Sequence, residues 1–227
     1  MSKKIYINPG HSDKDPGAVG YATERTLNVK TANYMNEYLL ANYDCQTKVT
    51  SGSVNSTATV AAEANSWGAD LLVSIHNNAG GGDGYEALVY STKNKALGQI
   101  FEKHVKAIGQ NSRGVKYRPD LRVLNSSNMP AILNEGAFVD TQKDIMDWDE
   151  DHELKKLGEA YANAAAEYLD LEKKAVAPAP VESAAPAASN VLYRVQVGAY
   201  SAKAKAEAMK AKLKAAGFDA MIVEVKK

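Results

Sequence analysis

The sequence predicts an α/β fold with a mostly parallel central sheet flanked by helices, followed by a small C-terminal β-α-β unit. Two observations lead to this prediction. Short apolar runs of strand length alternate with longer segments whose apolar residues recur at helical spacing. A stretch rich in proline and alanine then precedes one last, shorter set of such elements. Strands separated by helices favour a parallel sheet, and binding sites in such sheets gather beyond the carboxyl ends of the strands.

The predicted elements follow the chain in order. The first strand is KIYIN, which ends at Pro9-Gly10, and the first helix covers residues 26–43 because Leu27, Tyr38 and Leu39 recur near helical spacing. Further strands are predicted at QTKVT, DLLVSIH, YEALVYS, DLRVLN and AILNE, and further helices at residues 54–67, 96–110 and 154–171. The tail adds a strand at LYRVQVGAY, a helix at residues 201–217 and a strand at FDAMIVEV.

Charge and composition divide the chain into two modules. Residues 1–170 carry 17 Lys+Arg and 22 Asp+Glu, a net charge of −5, whereas residues 171–227 carry 10 and 5, a net charge of +5. The segment EKKAVAPAPVESAAPAASN cannot form a core and is typical of an extended linker. We therefore predict a main domain over residues 1–171, a linker over 172–190 and a small unit over 191–227.

Several classes of protein are disfavoured by the composition. The one cysteine, Cys45, excludes an intrachain disulfide, and no segment approaches the apolar length of a membrane span. The N-terminus has two lysines but lacks the apolar region and cleavage site of a signal peptide, so we expect synthesis in the cytoplasm and later release. The tail lysines are accompanied by few aromatic residues, so nucleic acid is not an expected partner.

Four chemically competent side chains stand at ends of predicted elements. His11 follows the first strand, His76 ends the third, Glu135 lies at the end of AILNE, and Glu24 lies where the first helix begins. If the strands are parallel and adjacent, two imidazoles and two carboxylates converge on one edge of the sheet. The remaining histidines, His104 and His152, are predicted to be surface residues without a metal role, at residues 96–110 and in the acidic DWDEDHEL.

This combination suits a catalytic zinc site. Two neutral imidazoles and one carboxylate hold the ion and leave a position for water, whose pKa falls to about 7. A second carboxylate can then transfer protons, and Asn77 or Asn78 can support the site by hydrogen bonding. Structural roles are the alternative: a histidine at a strand end often caps or packs, Glu24 could favour the helix dipole, and Glu135 could pair with an arginine.

The order of these motifs resembles one enzyme family. The segments INPGH, TERTLN, SIHNN and MPAILNEGAF, spread from residue 3 to residue 171, resemble the zinc-dependent N-acetylmuramoyl-L-alanine amidases of autolysins and phage endolysins. The resemblance implies Zn²⁺ as cofactor and peptidoglycan as substrate. It implies His11, Glu24 and His76 as metal ligands, Glu135 as the catalytic carboxylate, and Asn78 as a supporting or substrate-binding residue.

Three positions depart from the family pattern. Asn134 stands where an apolar residue usually precedes the catalytic glutamate, Asp140 stands in a segment that often ends in asparagine, and Val60 stands near a usual arginine. None of them is an implied metal ligand.

The tail is similar to the first half of a SPOR domain, a peptidoglycan-binding module. It covers a single β-α-β repeat where such domains have two. Either the second repeat was lost, or two chains of a homodimer supply one repeat each. The expected function is hydrolysis of the amide between N-acetylmuramic acid and L-alanine. The alternatives are a zinc peptidase acting on the stem peptides and a non-catalytic wall-binding protein.

Overall fold

A computed structural model describes residues 2–54, 56–174, 196–215 and 218–225. It divides into two compact units, residues 1–175 and residues 176–227. The linker predicted over residues 172–190 lies almost wholly outside the described residues, as does the start of the first tail strand.

The first unit contains a six-stranded sheet in the part of the chain that is described. The strands are β1 (Lys3–Pro9), β2 (Cys45–Val49), β3 (Leu71–Asn78), β4 (Tyr85–Val89), β5 (Ser112–Tyr117) and β6 (Ala131–Phe138). The helices of this unit are α1 (Glu24–Asn42), α2 (Thr57–Trp67), α3 (Lys95–Ala107), α4 (Arg122–Asn125), α5 (Gln142–Ile145) and α6 (Asp151–Tyr168), with a 3₁₀ turn at Thr92–Asn94.

The strand order is β2-β1-β3-β6-β4-β5. The pairs β1–β2, β1–β3, β3–β6 and β4–β5 are parallel, and the β4–β6 pair is antiparallel. The predicted fold, with its mostly parallel sheet and flanking helices, is confirmed. Because β1, β3 and β6 are adjacent and parallel, their carboxyl ends meet at the same edge of the sheet.

The two faces of the sheet are covered differently. On the closed face, side chains such as Ile7, Val73 and Ile132 pack beneath α1, α3 and α6 in the larger apolar cluster. On the open face, Leu72 and Leu133 pack with residues of α2 and α4 in a smaller cluster. Side chains alternate along a strand, so His76 and Glu135 share the open face with Leu72 and Leu133, beyond the end of the smaller cluster.

One predicted strand of the first unit is wrong, and the strand β5 is absent from the prediction. DLRVLN, predicted as a strand, forms the short helix α4 instead, because Val123 and Leu124 are adjacent apolar residues that both become buried on one turn. The strand β5 was not predicted, because only part of each side chain is buried and Gly114 adopts a positive φ of 86° beside a register shift.

The second unit retains only its helix among the described residues. Helix α7 spans Lys203–Ala215, as predicted, but residues 196–200 and 218–225 are not strands, so the prediction for FDAMIVEV was wrong. A strand requires a hydrogen-bonded neighbour, and the described part of the tail pairs neither segment with one. No helix in the described ranges of either unit has the length and apolar character needed to cross a membrane.

Candidate metal centre and active site

His11 occupies a tight turn directly after β1. Its φ of +66° places it in the left-handed region, which is uncommon for a residue with a side chain and marks a functional constraint. Its Nε2 lies 2.9 Å from Oε2 of Glu24, and its Nδ1 lies 2.8 Å from Oδ2 of Asp15. The hydrogen bond to Glu24 is the main reason that the pKa of His11 rises from 6.5 to about 9 in the absence of metal.

His76 approaches the same carboxylate from β3. Its Nδ1 lies 3.0 Å from Oε1 of Glu24, and the centroids of the His11 and His76 rings are 5.2 Å apart. The imidazole of His76 is 15% exposed, which leaves one side open to solvent. Each oxygen of Glu24 therefore faces a different imidazole.

Glu24 is the buried centre of this arrangement, at the first turn of α1. Burial disfavours its charge, but the hydrogen bonds from His11 and His76 outweigh that effect and hold its pKa well below the ordinary range. The backbone N–H of Ala18 donates to Oε2 at 2.9 Å, and the N–H of Asn77 lies 3.3 Å from Oε1. Glu24 is thus a fixed carboxylate at neutral pH.

Two glycines allow the rings to come this close. A Cβ added at Gly10 would lie 2.2–2.5 Å from ring atoms of His76. A Cβ added at Gly17, whose φ is +67°, would lie 2.5–2.6 Å from the ring of His11 and Oε2 of Glu24. Gly10 therefore makes room for His76, and Gly17 for His11 and Glu24.

Asn77 and Asn28 form a buried support for Glu24. The Asn77 side chain donates to Oδ1 of Asn28 at 2.9 Å and accepts from the N–H of Ala137 at 3.1 Å. Asn28 is fully buried and donates to the carbonyl of Gly10 at 3.3 Å. Support by Asn77 was predicted, whereas Asn28 was not, although it is a polar residue one helical turn after Glu24 on the same side of α1.

The donor set fits a zinc ion. One ligand atom each from His11, Glu24 and His76 lies within 4.8 Å of the other two, and the three residues come from different elements. Two imidazole nitrogens and one carboxylate oxygen are the protein ligands of many catalytic zinc sites. The crowded contact among three polar groups, enforced by two glycines, is a cradle that a bound cation would stabilise.

Glu135 lies beside this cluster on β6, directly opposite His76 in the parallel register. Its Oε2 is buried and has no hydrogen-bond partner among the described residues. Burial is the main cause that raises the pKa of Glu135 from 4.5 to about 7, and the charges of Glu24 and Glu86 add to the rise. An unpaired carboxyl with a pKa near neutrality is suited to accept and return a proton.

Asn78 contacts the carboxylate of Glu86 on β4. Its Nδ2 lies 3.3 Å from Oε2 of Glu86, and its Oδ1 accepts from the N–H of Ala79 at 2.9 Å. It therefore supports the neighbour of Glu135 rather than the three clustered residues. Glu86 was missed because YEALVYS predicts only a strand, and a lone glutamate within it carries no further signal.

The remaining histidines lie outside the cluster. His104 contacts Glu167 on α6 at 2.7 Å, and His152 lies 3.5 Å from Glu153. Neither belongs to a group of potential metal ligands in the described residues.

The departures from the family pattern have structural partners. Asn134 is fully buried on the closed face and accepts a hydrogen bond from the hydroxyl of Tyr85 at 2.6 Å. Asp140 accepts hydrogen bonds from the N–H groups of Gly80 and Gly81, which fixes the loop after β3. Val60 packs in the smaller apolar cluster.

Two family profiles match the chain. The profile of the N-acetylmuramoyl-L-alanine amidase family matches residues 5–167, and the profile of the SPOR domain matches residues 158–226. The two matches overlap at residues 158–167, which lie in α6 of the first unit.

Individual relatives are similar over most of the chain. The N-acetylmuramoyl-L-alanine amidase CwlM of Bacillus licheniformis is 32% identical over 97% of this chain and 84% of its own length. An endolysin of Bacillus phage SPP1 is 33% identical over 79% of this chain and 71% of its own length. The catalytic domain of the amidase CwlV from Bacillus (Paenibacillus) polymyxa superposes with a TM-score of 0.70 at 26% identity, covering 75% of this chain and 99% of that domain. This chain belongs to the N-acetylmuramoyl-L-alanine amidase family.

Proposed function

We propose that this protein hydrolyses the amide bond between N-acetylmuramic acid and L-alanine in peptidoglycan, with a zinc ion held by His11, Glu24 and His76. One observation carries the proposal: these three side chains meet next to Glu135, an unpaired carboxyl opposite His76 on the adjacent strand. Membership of the amidase family supports the choice of this amide as the substrate bond.

Each residue has a distinct part in the reaction. Bound at this site, zinc supplies a Lewis acid that polarises the amide carbonyl and lowers the pKa of a water molecule to about 7. Glu135 in its ionised form accepts a proton from the attacking water and donates it to the departing amine of L-alanine. Asp15 orients His11, and Asn28 and Asn77 hold Glu24 in place.

The product of the reaction provides the test. Purified peptidoglycan is digested with the zinc-loaded protein, and new N-termini and reducing sugars are both measured. The proposal predicts new N-terminal L-alanine without new reducing sugars, loss of activity in EDTA and recovery with zinc. New N-termini of any other residue would indicate a peptidase. Wall binding without cleavage by the zinc-loaded protein would indicate a binding protein.

We infer that the tail binds peptidoglycan. We further infer that two copies of the chain form a homodimer in which each tail supplies one repeat of the SPOR-like domain. The SPOR match supports wall binding. Several apolar residues of the tail are strongly exposed within its own unit, as an unpaired repeat would leave them: Phe218 (65%), Met221 (77%), Val223 (51%) and Val225 (84%). Sedimentation equilibrium should give a dimer for residues 1–227, and a monomer at micromolar concentration would contradict the pairing.

A further inference from the structure

A row of charged side chains crosses the open face of the sheet. His76 on β3 lies opposite Glu135 on β6, and Glu135 lies opposite Glu86 on β4. The row continues to β5, whose residues Arg113 and Lys116 both reach Glu86. The candidate metal ligands therefore lie at one end of this row, and two cationic side chains lie at its other end.

The cationic end is organised around a buried carboxylate. Nε of Arg113 and Nζ of Lys116 each lie 2.5 Å from Oε1 of Glu86. The side chain of Glu86 is 8% exposed, whereas those of Arg113 and Lys116 are 42% and 41% exposed. One buried anion thus fixes two half-exposed cations, and the group keeps a net charge of +1 that faces solvent.

Arg113 has the capacity to bind a further anion. Its four terminal N–H groups and two of the three on Lys116 have no hydrogen-bond partner in the described part of the chain. The guanidinium lies over the ring of Phe138, 5.2 Å from its centroid, which restrains its position further. A guanidinium held at one nitrogen presents its remaining donors in a geometry suited to a carboxylate.

The chemistry of the reaction indicates how the substrate is oriented along this row of side chains. Glu135 donates its proton to the amine of L-alanine, so the peptide side of the scissile bond lies next to Glu135. Continuing away from His76, the peptide would meet Glu86 and then its two cations. The peptide side is also the part of the substrate on which carboxylates occur, since the lactyl carboxyl of the sugar is consumed in the amide.

We propose that Arg113 and Lys116, positioned by Glu86, bind a carboxylate of the stem peptide within the first three residues of the scissile amide. This inference rests on the proposed function. β5 lies two strand spacings from Glu135, about 10 Å. An extended peptide covers that distance in about three residues. The subsite makes this protein selective for stem peptides whose carboxylate is free rather than amidated.

Matched soluble substrates test the proposal on the full-length, zinc-loaded protein. They are N-acetylmuramoyl-L-alanyl peptides that differ only in a carboxylate or a carboxamide at the second or the third peptide residue. The wild-type protein should cleave one of the carboxylate forms with a kcat/KM about tenfold higher than its amide, mainly through KM, as expected for loss of a charged hydrogen bond. The double variant Arg113→Gln/Lys116→Gln should cleave both forms equally.

Two controls separate this subsite from general effects. Arg113→Lys keeps the charge and should retain part of the preference. Lys103→Gln removes a cation paired with Glu167 on the other side of the molecule and should retain all of it. Equal cleavage of every carboxylate–amide pair by the wild-type protein would overturn the inference, whether or not the double variant folds. Failure to cleave any substrate would instead count against the proposed function.

Discussion

The two faces of the central sheet differ in what they carry: the closed face holds the larger apolar core, and the open face holds the reactive side chains. On the closed face, three long helices bury an apolar cluster that extends along the whole sheet. On the open face, α2 and the short α4 cover only part of the sheet, and the uncovered remainder carries His76, Glu135 and Glu86. Because neighbouring residues on a strand point to opposite faces, the same strands supply both the rigid core and the reactive row.

The comparison also explains why the reactive side chains hold unfavourable positions. Burial is the main cause that raises the pKa of Glu135, and the charge of the adjacent Glu86 adds to the rise. Such an arrangement costs stability, and the apolar closed face offsets that cost.

The largest expected effect is on the open face, at Glu135. Glu135→Gln should lower kcat for cleavage of the muramoyl–alanine amide by about 10³-fold, because the proton-transfer group is lost, while zinc binding is unchanged. Turnover and zinc content after gel filtration are the measurements. Glu37→Gln, an exposed position on α1, is the matched control and should retain full activity. Turnover near the wild-type rate in the Glu135 variant would contradict the assigned role.

A smaller effect is expected at the glycine cradle. Gly17→Ala places a Cβ against His11 and Glu24 and should weaken zinc binding by about 10–100-fold, the range known for disturbed ligand orientation. Gly68→Ala is a matched control, since its φ of +70° is nearly the same but an added Cβ meets nothing within 4 Å. Both variants should lose about 1 kcal/mol of stability from left-handed strain. Zinc affinity is measured by calorimetric competition with a chelator. If Gly17→Ala and Gly68→Ala bind zinc equally well, the close packing at Gly17 does not position the metal ligands.

On the closed face, the buried pair Asn134–Tyr85 allows a test of packing alone. Asn134→Leu leaves the Tyr85 hydroxyl without an acceptor and should cost about 1–3 kcal/mol of unfolding free energy. Combining it with Tyr85→Phe should restore most of that loss, while zinc affinity remains unchanged in both. Urea denaturation gives the stability values. A loss in the double variant that equals the sum of the single losses would show that the hydroxyl–amide contact is not the cause.

The last effect concerns the pH dependence of stability in the metal-free protein. The folded-state pKa values of Glu135 and His11 are both raised, to about 7 and about 9. The unfolded chain therefore releases these protons at lower pH, and stability declines as pH rises from about 5 to 9. Glu24, whose pKa is lowered, contributes only below that window.

Calorimetry in EDTA should show Tm falling progressively as the pH rises across this range. Glu135→Gln should remove the part of the fall below pH 7 and leave the part due to His11. An identical pH profile in the variant would mean that Glu135 has an ordinary pKa in the folded protein.

Much of this division could be predicted from the sequence. Apolar runs located β1, β3 and β6, and the polar residues at their ends located His11, His76 and Glu135, because parallel strands bring their carboxyl ends together. The supporting residues were harder to find. Asn28 has a local signal only once Glu24 is placed in the site, since it lies one helical turn later on α1. Glu86 becomes a neighbour of the site only through the reversed direction of β4, which local patterns do not encode.

Weak local signals account for the misassigned segments. RVLN is too short for its periodicity to separate a strand from a helical turn, and SRGVKY has neither strict alternation nor a buried run. FDAMIVEV has the composition of a strand, but the described residues provide no neighbour for it. The composition of FDAMIVEV indicates a preference for extended structure, but a strand forms only where a partner strand is available for hydrogen bonding.

The central claim is that three side chains from separate elements hold one zinc ion and that Glu135 acts beside it without binding it. An anomalous difference map at the zinc edge, from crystals of the zinc-loaded protein, tests this most directly. The account predicts one strong peak about 2.0–2.2 Å from ligand atoms of His11, Glu24 and His76, with neither oxygen of Glu135 in coordinating range. A peak coordinated by Glu135 or Glu86, or none at the three predicted ligands, would contradict it.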